Sequence, residues 1–186
     1  MRAAVDGGFR VIEFTLTTPG ALELITEFAR SSGAGDDALI VGAGTVLTVE
    51  QARQSVSAGA SFLVSPITDA AIVAEAHRLD VPCIPGAFTP AEMVQAQRLG
   101  ADIIKVFPAV PGGPAYIEAV LAPLPDLKLF PTAGVTAENF PDFLAAGCVG
   151  VGFVKSLFTA DDMASRNLGA IRERALAITT RLSRIG

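Results

Sequence analysis

Two charged residues interrupt runs that are otherwise apolar. Lys105, one of three lysines in the chain, sits inside IIKVF (103–107), and Glu13 sits inside VIEF (11–14). An ion within a strand buried on both faces is costly unless it is paired or put to use. Three readings follow: a structural Lys105–Glu13 ion pair, a solvent-facing place on an edge strand, or chemistry. In the third, a lysine desolvated among apolar side chains has a depressed pKa and attacks a carbonyl as a neutral amine, forming a Schiff base. A carboxylate within reach then moves protons as general acid and base. Such chemistry needs no metal and no cofactor, and the sequence offers few ligands. The single histidine, His77, reads as a solvated helix residue. A His-rich metal site is impossible, and a zinc cluster of Cys and His has too few members. A Ser-His-Asp triad would have to use His77, and no G-x-S-x-G motif accompanies it.

The elements that must position this pair are legible as seven apolar runs: 10–16, 38–46, 61–68, 82–88, 103–109, 127–135 and 149–157. Each is nearly continuous in Val, Ile, Leu and Phe, the pattern of parallel strands covered by helices on both faces. The runs start about 20 to 28 residues apart, the length of one strand, one helix and two loops. Helix signals lie between them. Thr48 with Gln51, Thr89 with Pro90 and Glu92, and Thr136 open three helices. Gly59, Gly100 and Gly147 suit left-handed C-terminal caps. The stretch from Asp161 to about Leu182 reads as one long closing helix.

Strict alternation of strand and helix suggests a (β/α)8 barrel of TIM type or a doubly wound open sheet. GAGTVL (42–47) begins like a dinucleotide-binding fingerprint but lacks its last glycine, which favours the barrel, as a single domain over residues 1–186. Residues 1–9 read as a helix tail ending at Gly7 and Gly8, so the chain reads as starting after a missing first strand. In a barrel the site lies at the C-terminal strand ends. Here these carry Glu13, Thr45, Pro66, Gly86, Lys105, Thr132 with Gly134, and Gly152.

The segments GGFRVIEFTLTTPGA, VGAGTVL, FLVSP, IPGAFTP, IKVFPA and FPTAGVT together resemble the 2-keto-3-deoxy-6-phosphogluconate (KDPG) and 4-hydroxy-2-oxoglutarate aldolases, class I enzymes on a (β/α)8 barrel. The resemblance runs from Gly7 to about Phe158. It implies Lys105 as the Schiff-base lysine and Glu13 as the acid–base residue. It implies Thr45 and Thr132 as hydroxyls at the keto-acid end, beside Pro66. Gly134 and the 150–152 region, with Gly152, would form a phosphate end. Several positions depart from the family pattern. Thr17 stands where an Arg four residues after the Glu binds the substrate carboxylate. Ala133-Gly134 replaces Gly-Gly, and FVKS (153–156) replaces the serine of the last phosphate loop. Lys155 is either a substitute anion ligand or an ordinary strand-end lysine.

The expected reaction is cleavage of a 2-keto-3-deoxy-4-hydroxy acid, KDPG first, to pyruvate and glyceraldehyde 3-phosphate. The alternatives are 4-hydroxy-2-oxoglutarate or a galactonate analogue, or a non-catalytic relative serving as an oligomer subunit. A metal-dependent pyruvate aldolase is disfavoured by the single histidine. The net charge of -5 and the absence of a basic block argue against nucleic acid. No apolar stretch reaches the roughly 18 residues of a spanning helix, and the first ten residues are no secretory signal. Cys83 and Cys148 lie in apolar runs and read as buried, reduced thiols of a cytoplasmic protein. The arginines fall on helices and read as solvated faces, Arg53, Arg78, Arg98 and the series Arg166, Arg172, Arg174, Arg181 and Arg184 among them. With 51% hydrophobic and 18% charged residues, helix outer faces cannot all be polar. A homo-oligomer, a trimer by resemblance, is therefore expected.

Overall fold

The structure, a computed structural model, describes residues 1–31, 35, 38–109 and 111–185. The element order is α1 Arg2–Asp6, β1 Val11–Thr15, α2 Ala21–Arg30, β2 Ile40–Gly44, α3 Val49–Ser57, β3 Phe62–Val64, α4 Ala70–Arg78 and β4 Cys83–Ile84. It continues with β5 Gly86–Ala87, α5 Pro90–Arg98, β6 Ile104–Val106, α6 Gly113–Leu121, β7 Leu129–Pro131, α7 Phe140–Ala145, α8 Ala160–Ser165 and α9 Leu168–Leu182. Strands and helices largely alternate, and the pairs β1–β2, β2–β3, β3–β4 and β5–β6 are parallel, so the α/β reading holds. None of the described helices is long and apolar enough to cross a membrane. The chain divides into two compact units, Arg10–Phe107 and Met1–Phe9 with Pro108–Gly186.

In the unit Arg10–Phe107, β1 to β4 pair in sequence order, with Glu13 opposite Gly42 and Thr15 opposite Gly44. Val41, Ala43, Leu63 and Val64 are buried, as continuous apolar runs covered on both faces require. Run 82–88 yields two short strands rather than one. Pro85 interrupts it, because proline has no N–H to give to a ladder, and pairing resumes with Gly86 opposite Lys105. The Thr48 hydroxyl accepts from Gln51 N–H, Thr89 and Glu92 form a complete capping box, and Asp69 caps α4. Gly59 and Gly100 follow their helices at φ +106° and +90°, conformations that cost a residue with a β-carbon about 1–2 kcal/mol. His77 is exposed, with Nε2 3.0 Å from the Gly100 carbonyl. Arg53 and Arg78 are more than solvated surface. Both bond to the buried Glu75, at 2.7 and 2.6 Å, Arg53 tying α3 to α4 and Arg78 forming an i,i+3 pair within α4.

In the other unit, α1 lies against α9. A β-carbon on Gly7 would overlap that of Ala175, and the Thr179 hydroxyl donates to the Gly7 carbonyl at 2.8 Å. The ring of Phe153 packs edge-on to both Phe9 and Phe140. Three expectations are corrected here. Run 149–157 forms no strand, only an isolated parallel bridge from Gly152 to Thr132. Gly150 and Gly152 leave room for the Phe130 ring, and glycine weakens a strand. The helix after Thr136 begins at Phe140. Thr136 instead accepts from the Glu138 and Asn139 N–H groups in a turn. The closing helix is two helices, broken where Arg166 turns left-handed at φ +53°. Arg174 clamps the break from α9, bonding Asp162 at 2.6 Å and the Leu157 carbonyl, while Arg181 donates to the Ala137 carbonyl. Cys83 and Cys148 are free thiols and both are buried.

Candidate active site

Glu13 is held by β1. Ile12 and Phe14 point into the core on either side of it, and its own side chain is partly buried on the opposite face. On β6 the arrangement repeats, with Ile104 and Val106 buried and Lys105 between them facing the other way, partly buried. Alternation along a strand is what presents one ion per strand to a common face. Burial pushes the Glu13 carboxyl above the usual carboxylate range, and the positive charge of Lys105 pulls it partly back. The two make no direct ion pair, so the structural pairing considered from the sequence does not form. The Lys105 ammonium instead lies 5.0 Å from the centroid of the Phe107 ring.

Thr15, the last residue of β1, continues the Glu13 face, and Thr17 lies in the turn that follows. Thr17 is exposed and donates to the Thr15 hydroxyl at 3.1 Å, and the Thr15 and Thr18 hydroxyls are 3.2 Å apart. Thr45 follows β2 directly and is partly buried at φ +57°. A β-branched residue in that region is an outlier worth about 1–3 kcal/mol, a strain that clusters at functional sites. Pro66 is partly buried after β3, and its backbone touches Gly86 so closely that a β-carbon there would overlap it. A cleft of about 280 Å³ opens between Pro66, Gly86, Phe88, Glu92 and Phe107.

The remaining predicted residues belong to the second unit. Thr132 is buried and its hydroxyl has no partner, a cost of about 1–3 kcal/mol for a buried polar group. It bridges Gly152. Ala133 and Gly134 turn at φ +57° and +133°, and the Gly134 carbonyl accepts from Asn139 Nδ2 at 2.9 Å. Lys155 is exposed, while its neighbour Ser156 is turned inward and donates to the Val135 carbonyl at 2.6 Å. Sequence reasoning placed Phe107 and Thr15 at strand ends without giving them a role, and missed Thr18. The i+2 spacing from Lys105 and from Glu13 was the signal available for the first two.

The family described as KDPG and KHG aldolase matches residues 1–173. The chain belongs to the KDPG and KHG aldolase family. Its enzymes are carbon–carbon lyases that cleave aldols. A probable 2-dehydro-3-deoxy-6-phosphogalactonate aldolase of Rhizobium meliloti is 35% identical over 94% of this chain and 80% of its own length. A 2-dehydro-3-deoxy-phosphogluconate aldolase of Treponema pallidum is 37% identical over 77% of the chain and 67% of its own. Among solved structures, a native KDPGal structure matches with TM-score 0.88 at 30% identity over 99% of the chain and 86% of that protein. A KDPG aldolase of Legionella pneumophila, with pyruvate captured as a covalent carbinolamine, matches with TM-score 0.82 at 28% identity over 95% of this chain and 84% of its own.

Proposed function

We propose that this family member is a class I aldolase that cleaves a 2-keto-3-deoxy-6-phosphohexonate to pyruvate and glyceraldehyde 3-phosphate. Lys105 attacks the C2 carbonyl, and loss of water from the carbinolamine gives an iminium. The Glu13 carboxylate, through a water, takes the proton from the C4 hydroxyl. The C3–C4 bond breaks, its electron pair enters the iminium as an enamine, and the aldehyde leaves. Glu13 returns its proton by the same water to C3, and hydrolysis frees pyruvate and Lys105. The observation that supports this reading most is Glu13 itself. Its carboxyl is raised by burial while the Lys105 charge acts on it, which suits a group that must both take and give a proton near neutral pH.

Thr45, with Pro66, would line the keto-acid end, and Thr17 would meet the substrate carboxylate as a hydroxyl in place of a cation. Gly134 and Gly152 would offer backbone N–H groups to phosphate, with Lys155 as the nearby cation. Phosphogluconate and phosphogalactonate substrates differ at C4 alone and release the same products. The galactonate epimer is the reading favoured by the longer matches, 94% of the chain against 77%.

Pyruvate release from each epimer is the decisive assay, alongside borohydride trapping of pyruvate and mapping of the adduct. An adduct at Lys105 supports the aldolase. No adduct and no turnover leaves the chain a non-catalytic subunit. Val11 and its register partner Ile40 are 57% and 48% exposed, and Leu168, Leu176 and Leu182 stand out of α9. These apolar surfaces support a homo-oligomer, a trimer by the family resemblance, which light scattering tests against the 19.2 kDa monomer. The two buried thiols support a reducing, cytoplasmic setting.

A further inference from the structure

On the face of β2 that looks toward Glu13 the strand presents two glycines, Gly42 and Gly44, and no side chain at either. Neither has a positive φ, so neither is required for its backbone conformation. What they supply is space. A β-carbon on Gly42 would overlap the ring of Phe62 from β3, a core contact. One on Gly44 would meet Glu13 and nothing else nearer. It would overlap Oε1 and come to 2.5 Å from Cδ and 2.9 Å from Cγ. Real β-carbons do not approach other atoms that closely, and Gly44 sits in a largely buried stretch, with Ala43 before it and Val46 beyond the partly buried Thr45 both at 0% exposure. The clash is therefore resolved by moving the carboxylate, not the strand.

We propose that Gly44 is a positioning residue for the acid–base chemistry of Glu13, its bare α-carbon forming the seat of the carboxylate. This rests on the aldolase reading above. Thr45, held left-handed directly after Gly44, fixes the end of that seat, because the chain there cannot slide along β1 without losing the β2 register. Displacement of a catalytic group by about 1 Å costs about 100-fold in rate. The lysine chemistry does not pass through Gly44, since Lys105 belongs to β6 and pairs with Gly86.

The test is a cycle of wild type, Gly44→Ala, Glu13→Ala and the double variant, read by pyruvate trapping with borohydride, by kcat and KM for cleavage, and by Tm. Gly44→Ala is expected to trap pyruvate to the wild-type extent and to lose about 100-fold in kcat with KM within about threefold. Added to Glu13→Ala, it is expected to change kcat less than about threefold, because no carboxylate remains to displace. A loss in the Glu13→Ala background equal to that in wild type overturns the proposal, as does a Gly44→Ala enzyme with unchanged kcat. If Gly44→Ala fails to fold, the double variant is expected to fold and to melt near Glu13→Ala; a double variant that also fails to fold assigns Gly44 to the strands and overturns the role. Wild-type enzyme that traps no pyruvate sinks the aldolase reading instead, while the melting cycle still reports whether Gly44 and Glu13 share one space.

Discussion

The ammonium of Lys105 on β6 stands 5.0 Å from the ring centroid of Phe107, just past the end of that strand. Phe107 is 39% exposed, so the cation–π attraction is worth about 0.5–1 kcal/mol. Phe107→Leu keeps the apolar bulk and removes the ring face. The rate of pyruvate trapping is expected to change by about two- to fivefold, read by stopped borohydride reactions over a time course. A change beyond a hundredfold would place Phe107 in the chemistry itself.

Lys105→Arg keeps the charge and cannot form an imine. The variant is expected to fold, with a circular dichroism spectrum like the wild type, and to lose pyruvate-dependent trapping completely. Trapping that persists would move the nucleophile to Lys128 or Lys155.

Glu13→Gln is expected to form the imine and to cleave about 10²–10⁴ times more slowly. The pH dependence has a definite sign. The base is the ionised carboxylate and its pKa is raised by burial, so kcat/KM falls as pH drops through a value above that of an ordinary glutamate. This limb is absent in the glutamine variant. Stability runs the other way. A raised carboxyl favours the folded state below its unfolded pKa, and that contribution is lost as pH rises through the folded one. Glu13→Gln should therefore melt at or above the wild-type temperature at pH 7.

Glu75 carries the opposite shift. Hydrogen bonds from Arg78 first and Arg53 second hold its carboxyl down at about 2. Its contribution to stability is present above the unfolded value near 4.5 and is lost as pH falls toward 2. Glu75→Gln should lower Tm at pH 7 and flatten the loss of Tm between pH 5 and 2. An acid limb as steep as that of the wild type would assign it to other carboxylates.

Phe140 is 1% exposed, with Phe153 at one edge and the Arg181 guanidinium over its ring at 5.5 Å. Phe140→Ala is expected to cost about 3–5 kcal/mol, seen as a lower urea midpoint at unchanged slope. A cost below 1 kcal/mol would mean that the aromatic trio of Phe9, Phe140 and Phe153 collapses into the gap.

The amino-acid order alone determined the alternation of strands and helices and the helix starts at Thr48 and Thr89. It also determined the glycine stops at 59, 100 and 147, and the presence of a lysine and a glutamate on strand faces. Each of these depends on hydrophobic period, capping side chains or backbone φ, which act within a few residues. The tertiary structure decided what distant segments do to one another. Pro85 split one run because its missing N–H mattered only once a partner strand lay alongside. Run 149–157 forms only its bridge to Thr132, and the Phe130 ring, 20 residues from Gly150, packs over its glycines. Arg53 and Arg78 stay exposed as read, but only the packing of α3 on α4 brings Arg53 to the buried Glu75. Gly44 read as part of strand run 38–46 in a segment resembling a fingerprint, and only the folded β1–β2 register brings the Glu13 carboxylate over it. Packing between residues 31 positions apart is set by volume that no local pattern records.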